Sequence, residues 1–492
     1  MAGNQSGDDQ FETISTNFLA WFTSQPSTTI HQSICIRDLR FQHAGRGVVA
    51  TADIPADTVL FTIPRSTILT PSTSALQADL SSLFPRQHDE AAEEVEESAL
   101  PAPWLELILV LMFEHLQGSA SRWAPYLSYL PNTASDFNTL IFWSDDELSE
   151  LQASHVRHKL GKDSADRDFR RFILPFVKAN ESLFYTGAGN ARSRLSDEQV
   201  LELAHVMGSV VMAYAFDLEN ENDDSDADEN DEDGWTEDKQ RPQRLGMVPF
   251  ADLLNADAEF NAHLAHLDDC LEMTSIREIK AGEEVLNYYG PNANSEVLRR
   301  YGYTSQKHSR YDVVELNWRS IKRVVAESGK LEHVLQQIES ENGWTDDEAF
   351  VLERDSDGPG DDGLFEGDAK FTQLPEDLVD ALSDTVKHAI PEAGTDPKLL
   401  KGKVLELAKS VIEARTAEYA TTIEEDESLL ARGAQGRSKM AIDVRLGEKR
   451  LLREALDWTE EKLAKYSEQA GKHRMNNGSD GTTQSARKRQ KR

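Results

Sequence analysis

An apolar run ending in a carboxamide, followed about thirty residues later by a motif with two phenols, constrains this chain more than any other feature. The run is Met247-Val-Pro-Phe-Ala-Asp-Leu-Leu-Asn255, and the later motif is Asn287-Tyr-Tyr-Gly290. Between them Ile276-Arg-Glu-Ile-Lys-Ala-Gly-Glu-Glu284 reads as a strand, a turn and a strand. Two buried segments arranged this way can bring one amide and two phenols together over a single small cavity. A fold that delivers them there must be a mixture of short strands and helices.

The chain has 492 residues, beyond the size at which one core stops growing, so two or three domains are expected. A 39% apolar content with eight Trp is enough for a real core. The formal charge of −35 disfavours direct binding of nucleic acid phosphates and favours basic protein surfaces as partners. Cys35 and Cys270 are too few for a disulfide framework or a Cys-rich zinc site, which points to a reducing compartment and to no metal. The unbroken apolar run Leu107–Phe113 is too short to span a bilayer, and the first residues lack the charge and apolar core of a secretion signal. A soluble intracellular protein without a membrane partner, expected as a monomer, follows. The basic cluster Ala486-Arg-Lys-Arg-Gln-Lys-Arg492 on a flexible tail over 471–492 reads as a nuclear import signal, placing the protein in the nucleus and also in the cytoplasm.

Along the chain, residues 11–30 read as a helix and a turn, with Phe11, Ile14, Phe18, Trp21 and Phe22 at helical spacing. Ile34-Cys-Ile-Arg37, Gly47-Val-Val-Ala50 and Val59-Leu-Phe-Thr-Ile63 read as strands of a compact antiparallel sheet. A helical insertion over about 72–205 contains a buried helix at Glu106–Leu116, a second at Phe169–Val177 and a third from Ser196 to Tyr214. Asp89–Ser98 is an acidic loop, and 217–240 is a longer acidic insert with too few apolar groups to offset ordering entropy. That insert either is simply solvated or steers a basic substrate. From Tyr303 to about Gln469 the texture is helical, with amphipathic stretches at Leu331–Ile338, Leu374–Ala389, Leu399–Tyr419 and Met440–Tyr466. A separate all-helical domain over 310–470 is the expectation.

Several segments together carry a resemblance. Ala44-Gly-Arg-Gly-Val-Val-Ala-Thr-Ala-Asp-Ile-Pro-Ala-Asp-Thr-Val-Leu-Phe61 resembles the opening of a SET domain. Ser121-Arg-Trp-Ala-Pro-Tyr-Leu-Ser-Tyr-Leu-Pro131 is similar to a stretch in the helical insertion of non-histone SET enzymes. Val211–Phe216 and Pro249–Asn255 are similar to the family core, and Asn287–Gly290 with Leu298-Arg-Arg-Tyr-Gly302 to its closing motif. In its order of motifs the chain resembles the Rubisco large-subunit methyltransferase class of protein-lysine methyltransferases, and within it the fungal ribosomal lysine methyltransferases. The resemblance implies an α+β fold: a SET domain over 11–309 with a threaded, pseudo-knotted closing segment, and a helical C-terminal substrate-binding domain.

It also implies S-adenosylmethionine as donor and a protein lysine as acceptor. Methyl transfer of this kind needs nitrogen, methyl and sulfur held in one line. The lysine, with a free pKa of ~10.4, must be neutral, and a desolvated channel beside a positive charge lowers that pKa. By its place in the motif Tyr289 is the phenol at the transfer point and Tyr301 closes the lysine channel. Ala44, Gly45, Arg46, Tyr214, Asn255, Ala256 and Tyr289 are implied to contact the donor, and Trp123, Ala215 and Tyr301 the substrate. The family usually has Asn-His where this chain has Asn255-Ala256; Ala256 keeps the backbone groups and loses the ring. His263 and His266 read as ordinary polar residues. The acceptor implied is a lysine of a basic large-subunit ribosomal protein, taking one methyl group. A histidine acceptor, as in related SET enzymes acting on actin, and a non-enzymatic adaptor stay open as alternatives.

Overall fold

The computed structural model describes residues 5–42, 44–80, 100–185, 194–218, 244–328 and 332–480. Helix α1 (Gln5–Thr23) starts earlier than its spacing predicts and buries Phe18 and Phe22. Four short strands follow: β1 (Thr29–Ile30), β2 (Ile34–Asp38), β3 (Arg46–Ala50) and β4 (Val59–Pro64). The helical insertion comprises α2 (Gln77–Leu80), α3 (Ala102–Gln117), α4 (Ala124–Leu127), α5 (Asp145–Ser149), α6 (Lys162–Asp168), α7 (Leu174–Ala179), α8 (Glu181–Phe184) and α9 (Asp197–Tyr214). The helix expected over Phe169–Val177 is a π-helical turn, Phe169–Ile173, running into α7. Helix α3 is apolar nearly all round and is buried accordingly; its Glu114 accepts from Ser74 Oγ at 2.8 Å and Ser121 Oγ at 2.6 Å, as an acid in that position must. Ser196 opens α9 with a reciprocal pair, its hydroxyl accepting from Gln199 N and Gln199 Oε1 from Ser196 N.

Strands β5 (Ala215–Asp217) and β6 (Leu245–Met247) pair antiparallel, so the stretch read as acidic insert begins inside a strand; residues 219–243, like the acidic loop Asp89–Ser98, lie outside the described residues. Strands β7 (Ala262–His266) and β8 (Cys270–Ser275) complete an antiparallel sheet in the order β1-β4-β8-β7, while β2 and β3 form their own hairpin. The strand, turn and strand expected at Ile276–Glu284 are a correction. The segment forms only isolated bridges, Ile54↔Ile279 and Val49↔Glu284, around a turn at Gly282 with φ +87°. Its two edges serve different partners: Val285 N donates to Val48 O at 2.7 Å, and Asn287 N to Asn255 O at 2.9 Å. Each partner is met too briefly for a ladder to build.

Beyond α10 (Asn294–Tyr301) the all-helical expectation is also corrected. Strand β9 (Val314–Asn317) precedes α11 (Trp318–Ser328) and α12 (Glu332–Asn342), and pairs antiparallel with β10 (Ala349–Leu352). Val314 and Leu316 are buried, a period of two too short to stand out against helical neighbours. The rest is helical: α13 (Glu376–Ala389), α14 (Pro397–Thr416), α15 (Ile423–Ala431) and α16 (Gly436–Asp480). Helix α16 extends through the first part of the expected 471–492 tail; the basic cluster lies outside the described residues. Among the described residues no helix is long and apolar enough to cross a membrane.

Helix α16 joins the two halves. Arg445 donates to both oxygens of the buried Asp426 and to the carbonyl and carboxylate of Glu150 in the insertion. Lys449 also pairs with Asp426, and Glu448 accepts from Ser154 Oγ and Tyr419 Oη, each at 2.6 Å. Burial raises the Asp426 carboxyl, but Arg445 and Lys449 outweigh it and hold the group below its ordinary range. Gly447 lies against Asp312: a side chain there would stand 2.0 Å from Asp312 Oδ2. Asp312 Oδ1 accepts from Asn294 N at 3.1 Å at the start of α10, while buried Oδ2 has no hydrogen-bond partner among the described residues.

Replacing Asp426 by Ala strands two buried cations, so stability should fall by about 3–5 kcal/mol in urea denaturation. Asp312 behaves oppositely, because burial pushes its carboxyl up to about 7. The folded state then holds this proton more tightly than the unfolded chain, and its contribution to stability declines as pH rises from about 4 to about 7. Asp312→Asn should therefore lessen the fall in stability across that window, measured by the same denaturation at several pH values.

Candidate functional site

The Met247–Asn255 run and the Asn287–Gly290 motif meet in space. Asn255 follows the 3-10 turn Ala251–Leu253, and its Nδ2 donates to Ala44 O at 3.1 Å, Arg46 O at 3.0 Å and Glu284 Oε1 at 2.7 Å. Ala44, Gly45 and Arg46 form the loop that leads into β3, closed by Leu39 N on Gly45 O at 2.8 Å. Gly45 has φ +66° and open space where a side chain would stand, so the backbone there is accessible. Gly47 is needed for a different reason: a Cβ would lie 2.4 Å from Glu284 Oε1 and 2.5 Å from Leu39 Cδ1. Burial raises the Glu284 carboxyl above its usual range, against the stabilising hydrogen bond from Asn255. Arg46 Nη1 reaches Tyr129 O at 3.3 Å, its guanidinium lies 4.4 Å from the Phe11 ring centre, and its buried Nε has no protein partner among the described residues.

Ala256 is buried and forms a parallel bridge with Asn287, which carries the chain from Asn255 to the tyrosines. Tyr289 Oη donates to Leu254 O at 3.1 Å. Desolvation, followed by the neighbouring Tyr303, Tyr301, Tyr214 and Asp252, raises this phenol well above its ordinary value, so it stays protonated. The Tyr301 ring lies 4.7 Å from it, centre to centre, at the end of α10. Tyr214 ends α9, next to Ala215 at the start of β5; burial and then Asp252 push its phenol up to about 12. The structure thus brings Asn255, Ala44, Arg46, Ala256 and the tyrosines 214, 289 and 301 into one hydrogen-bonded and electrostatically coupled region.

Trp123 is placed differently. It is 2% exposed, its Nε1 donates to Thr67 O at 3.2 Å, and Arg122 covers its face at 3.8 Å. The indole is thus enclosed by the core of the insertion. His263 is exposed on β7.

Three features escape a reading of the sequence alone. Tyr303 Oη donates to Ala256 O at 3.0 Å, occupying the carbonyl of the residue where the family ring is missing. Asp252, 4% exposed, accepts Tyr126 Oη at 2.6 Å and also Tyr129 Oη, linking the insertion to the Met247–Asn255 run. The signal was available, since an acid inside an apolar run must find donors. Phe250 has φ +81° and ψ −42°, a strained backbone for a bulky residue. Its ring is held by Phe22 at 5.1 Å and Phe61 at 4.7 Å, and this turn aims Asp252 and Asn255.

Comparison with known proteins follows the same division. The SET domain family matches residues 45–290, half of the chain, and the Rubisco LSMT substrate-binding family matches residues 336–452. Ribosomal lysine N-methyltransferase 4 of Saccharomyces cerevisiae is 35% identical over 324 residues, covering 65% of this chain and 61% of that protein. N-lysine methyltransferase SETD6 of Homo sapiens is 26% identical over 461 residues, covering 85% of each. Among solved structures, the SET domain of LSMT bound to lysine and AdoHcy superposes with a TM-score of 0.59 at 20% identity, over 93% of each chain. Rubisco LSMT bound to AdoMet gives 0.58 at 20% identity, over 92% of this chain and 93% of that one. The motif order, the pairing of the closing segment with Asn255 and Ala256, and these matches lead to one conclusion: the chain belongs to the SET-domain family, in the branch that carries a Rubisco LSMT substrate-binding domain.

Proposed function

We propose that the chain is an S-adenosylmethionine-dependent protein-lysine N-methyltransferase. The observation that carries this reading is the Asn255 amide holding the Ala44–Arg46 loop beside the Tyr289 and Tyr301 phenols. The residues present fit such a donor: the backbone at Gly45 is open, and Arg46 offers a buried Nε–H without a protein partner among the described residues. Ala44, Gly45, Arg46, Tyr214, Asn255 and Ala256 would hold it. When bound, S-adenosylmethionine supplies a methyl group on a positively charged sulfur.

The chain's own residues then play distinct parts. Tyr289 remains a neutral phenol whose proton is directed at Leu254 O, leaving its oxygen lone pairs to orient an amine. The dry surroundings that raise the phenols also favour a neutral lysine, whose proton leaves to water before transfer. Tyr301 packs tilted against Tyr289 as a wall of the acceptor channel, with Ala215 on the strand after Tyr214 as a further substrate contact.

The name of the yeast relative supports a ribosomal protein as the finer assignment. A basic large-subunit ribosomal protein, monomethylated on lysine, also suits a chain of charge −35. On this reading the enzyme acts as a monomer, and the C-terminal basic cluster directs part of it to the nucleus. Mass spectrometry of large-subunit ribosomal proteins from cells lacking the chain tests the substrate. Loss of one lysine methyl mass is expected, and an unchanged methyl pattern excludes this substrate class.

Two variants test the site. Tyr289→Phe should keep fold and donor binding and lower turnover about 10²-fold, the scale for removing one positioned polar group; unchanged turnover in a radiolabelled methyl-transfer assay removes Tyr289 from the mechanism. Asn255→Ala leaves two loop carbonyls and the Glu284 carboxyl without their shared donor. A stability loss of about 2–3 kcal/mol in urea denaturation is expected, with donor affinity by calorimetry falling in parallel.

A further inference from the structure

Asp252 is a buried carboxyl with no cation bonded to it among the described residues. The donors that meet its oxygens are two phenols, Tyr126 of α4 at 2.6 Å and Tyr129 just beyond that helix. The amides of Phe250 and Asp252 in its own turn also favour its charged form, and burial, the largest influence, opposes it. Arg46 of β3 is turned to the Tyr129 carbonyl and the Phe11 ring. The charge of Asp252 nevertheless acts on the tyrosines of the site: it disfavours ionisation of Tyr214 at the end of α9 and of Tyr289 in the closing motif. Desolvation brings the carboxyl up to about 7, so it changes charge in the range where enzymes work.

Asp252 lies in the same short turn as Leu254, whose carbonyl accepts the Tyr289 phenol, and three residues before Asn255, whose amide holds the Ala44–Arg46 loop. A buried carboxylate held there by neutral donors is half of an ion pair. We propose that ionised Asp252 is the buried counter-charge to the cationic methyl donor, so that the site binds the sulfonium more tightly than the neutral thioether that remains after transfer. This rests on the donor assignment above and deepens it. Reciprocal linkage follows, since a bound cation favours the carboxylate, and the carboxylate favours the cation. Loss of the positive charge from sulfur weakens that attraction, which helps the thioether leave. The two phenols act as positioning residues, because they keep the carboxylate hydrogen-bonded in a place water does not reach.

The test is calorimetric titration of the full chain with S-adenosylmethionine and, separately, with S-adenosylhomocysteine. The two ligands share their nucleoside and amino acid parts, so titration of groups that meet those parts cancels in the ratio of the two Kd values. If the bound sulfonium lowers the Asp252 pKa by about one unit, that ratio changes about fivefold between about pH 6 and about pH 8. The sign is fixed: acid protonates Asp252 and weakens binding of the cation, leaving the thioether unaffected. Asp252→Asn should abolish the change, holding the ratio near its low-pH value. Tyr126→Phe, which keeps the carboxyl and most of the packing, should move the midpoint to higher pH because the carboxylate has lost a donor; this arm stands even if Asp252→Asn does not fold. Parallel curves for the two ligands in the wild type, or a persisting step in Asp252→Asn, would overturn the proposal while leaving the donor assignment intact. Absence of S-adenosylmethionine binding at every pH would remove both.

Discussion

A single carboxamide sets the geometry on which the site depends. Asn255 Nδ2 has two hydrogens and meets three acceptors, two of them carbonyls of the Ala44–Arg46 loop and the third the Glu284 carboxyl. Those acceptors come from stretches far apart in sequence, so one small group fixes the opening loop, the central run and the closing segment against each other. The absence of a side chain at Gly47 permits the approach, since any Cβ would displace Glu284 or Leu39. In this partly buried setting such a junction is worth more as a unit than as separate bonds, because each lost partner leaves a half-buried polar group unpaired.

A second ring of contacts supports the first. Asp252 binds the Tyr129 phenol, the Tyr129 carbonyl accepts from Arg46, and the Arg46 carbonyl accepts from Asn255, three residues after Asp252. The strained turn at Phe250 lets both side chains of the same run aim at different partners. Its aromatic neighbours Phe22 and Phe61 over-determine that backbone, as strain of this kind requires.

Much of this was legible in the sequence, and the rest was hidden for definite reasons. Strands β2, β3 and β4 stood out because β-branched runs are bounded by turn residues, and α9 because Ser196 signals its own cap. The pairing of Asn255 with Tyr289 was visible through motif order. What the chain does not display is which polar residue within an apolar run meets which donor: Asp252 finds partners 123 and 126 residues away. The burial of Trp123 was hidden for a related reason, since an aromatic beside a recognised motif looks the same whether it lines a cavity or fills the core. Strands β9 and β10 were lost among helices because four residues give too little period to read.

The seam between Gly447 and Asp312 reaches further than its size. Asp312 caps the helix whose last residue is Tyr301, and the glycine lets α16 press directly on that cap. A bulkier residue in the middle of the long C-terminal helix would act as a wedge, tilting a short lever whose other end carries Tyr301 against Tyr289. A change in this second-domain helix would then be felt at the paired tyrosines of the first domain, through the cap of α10.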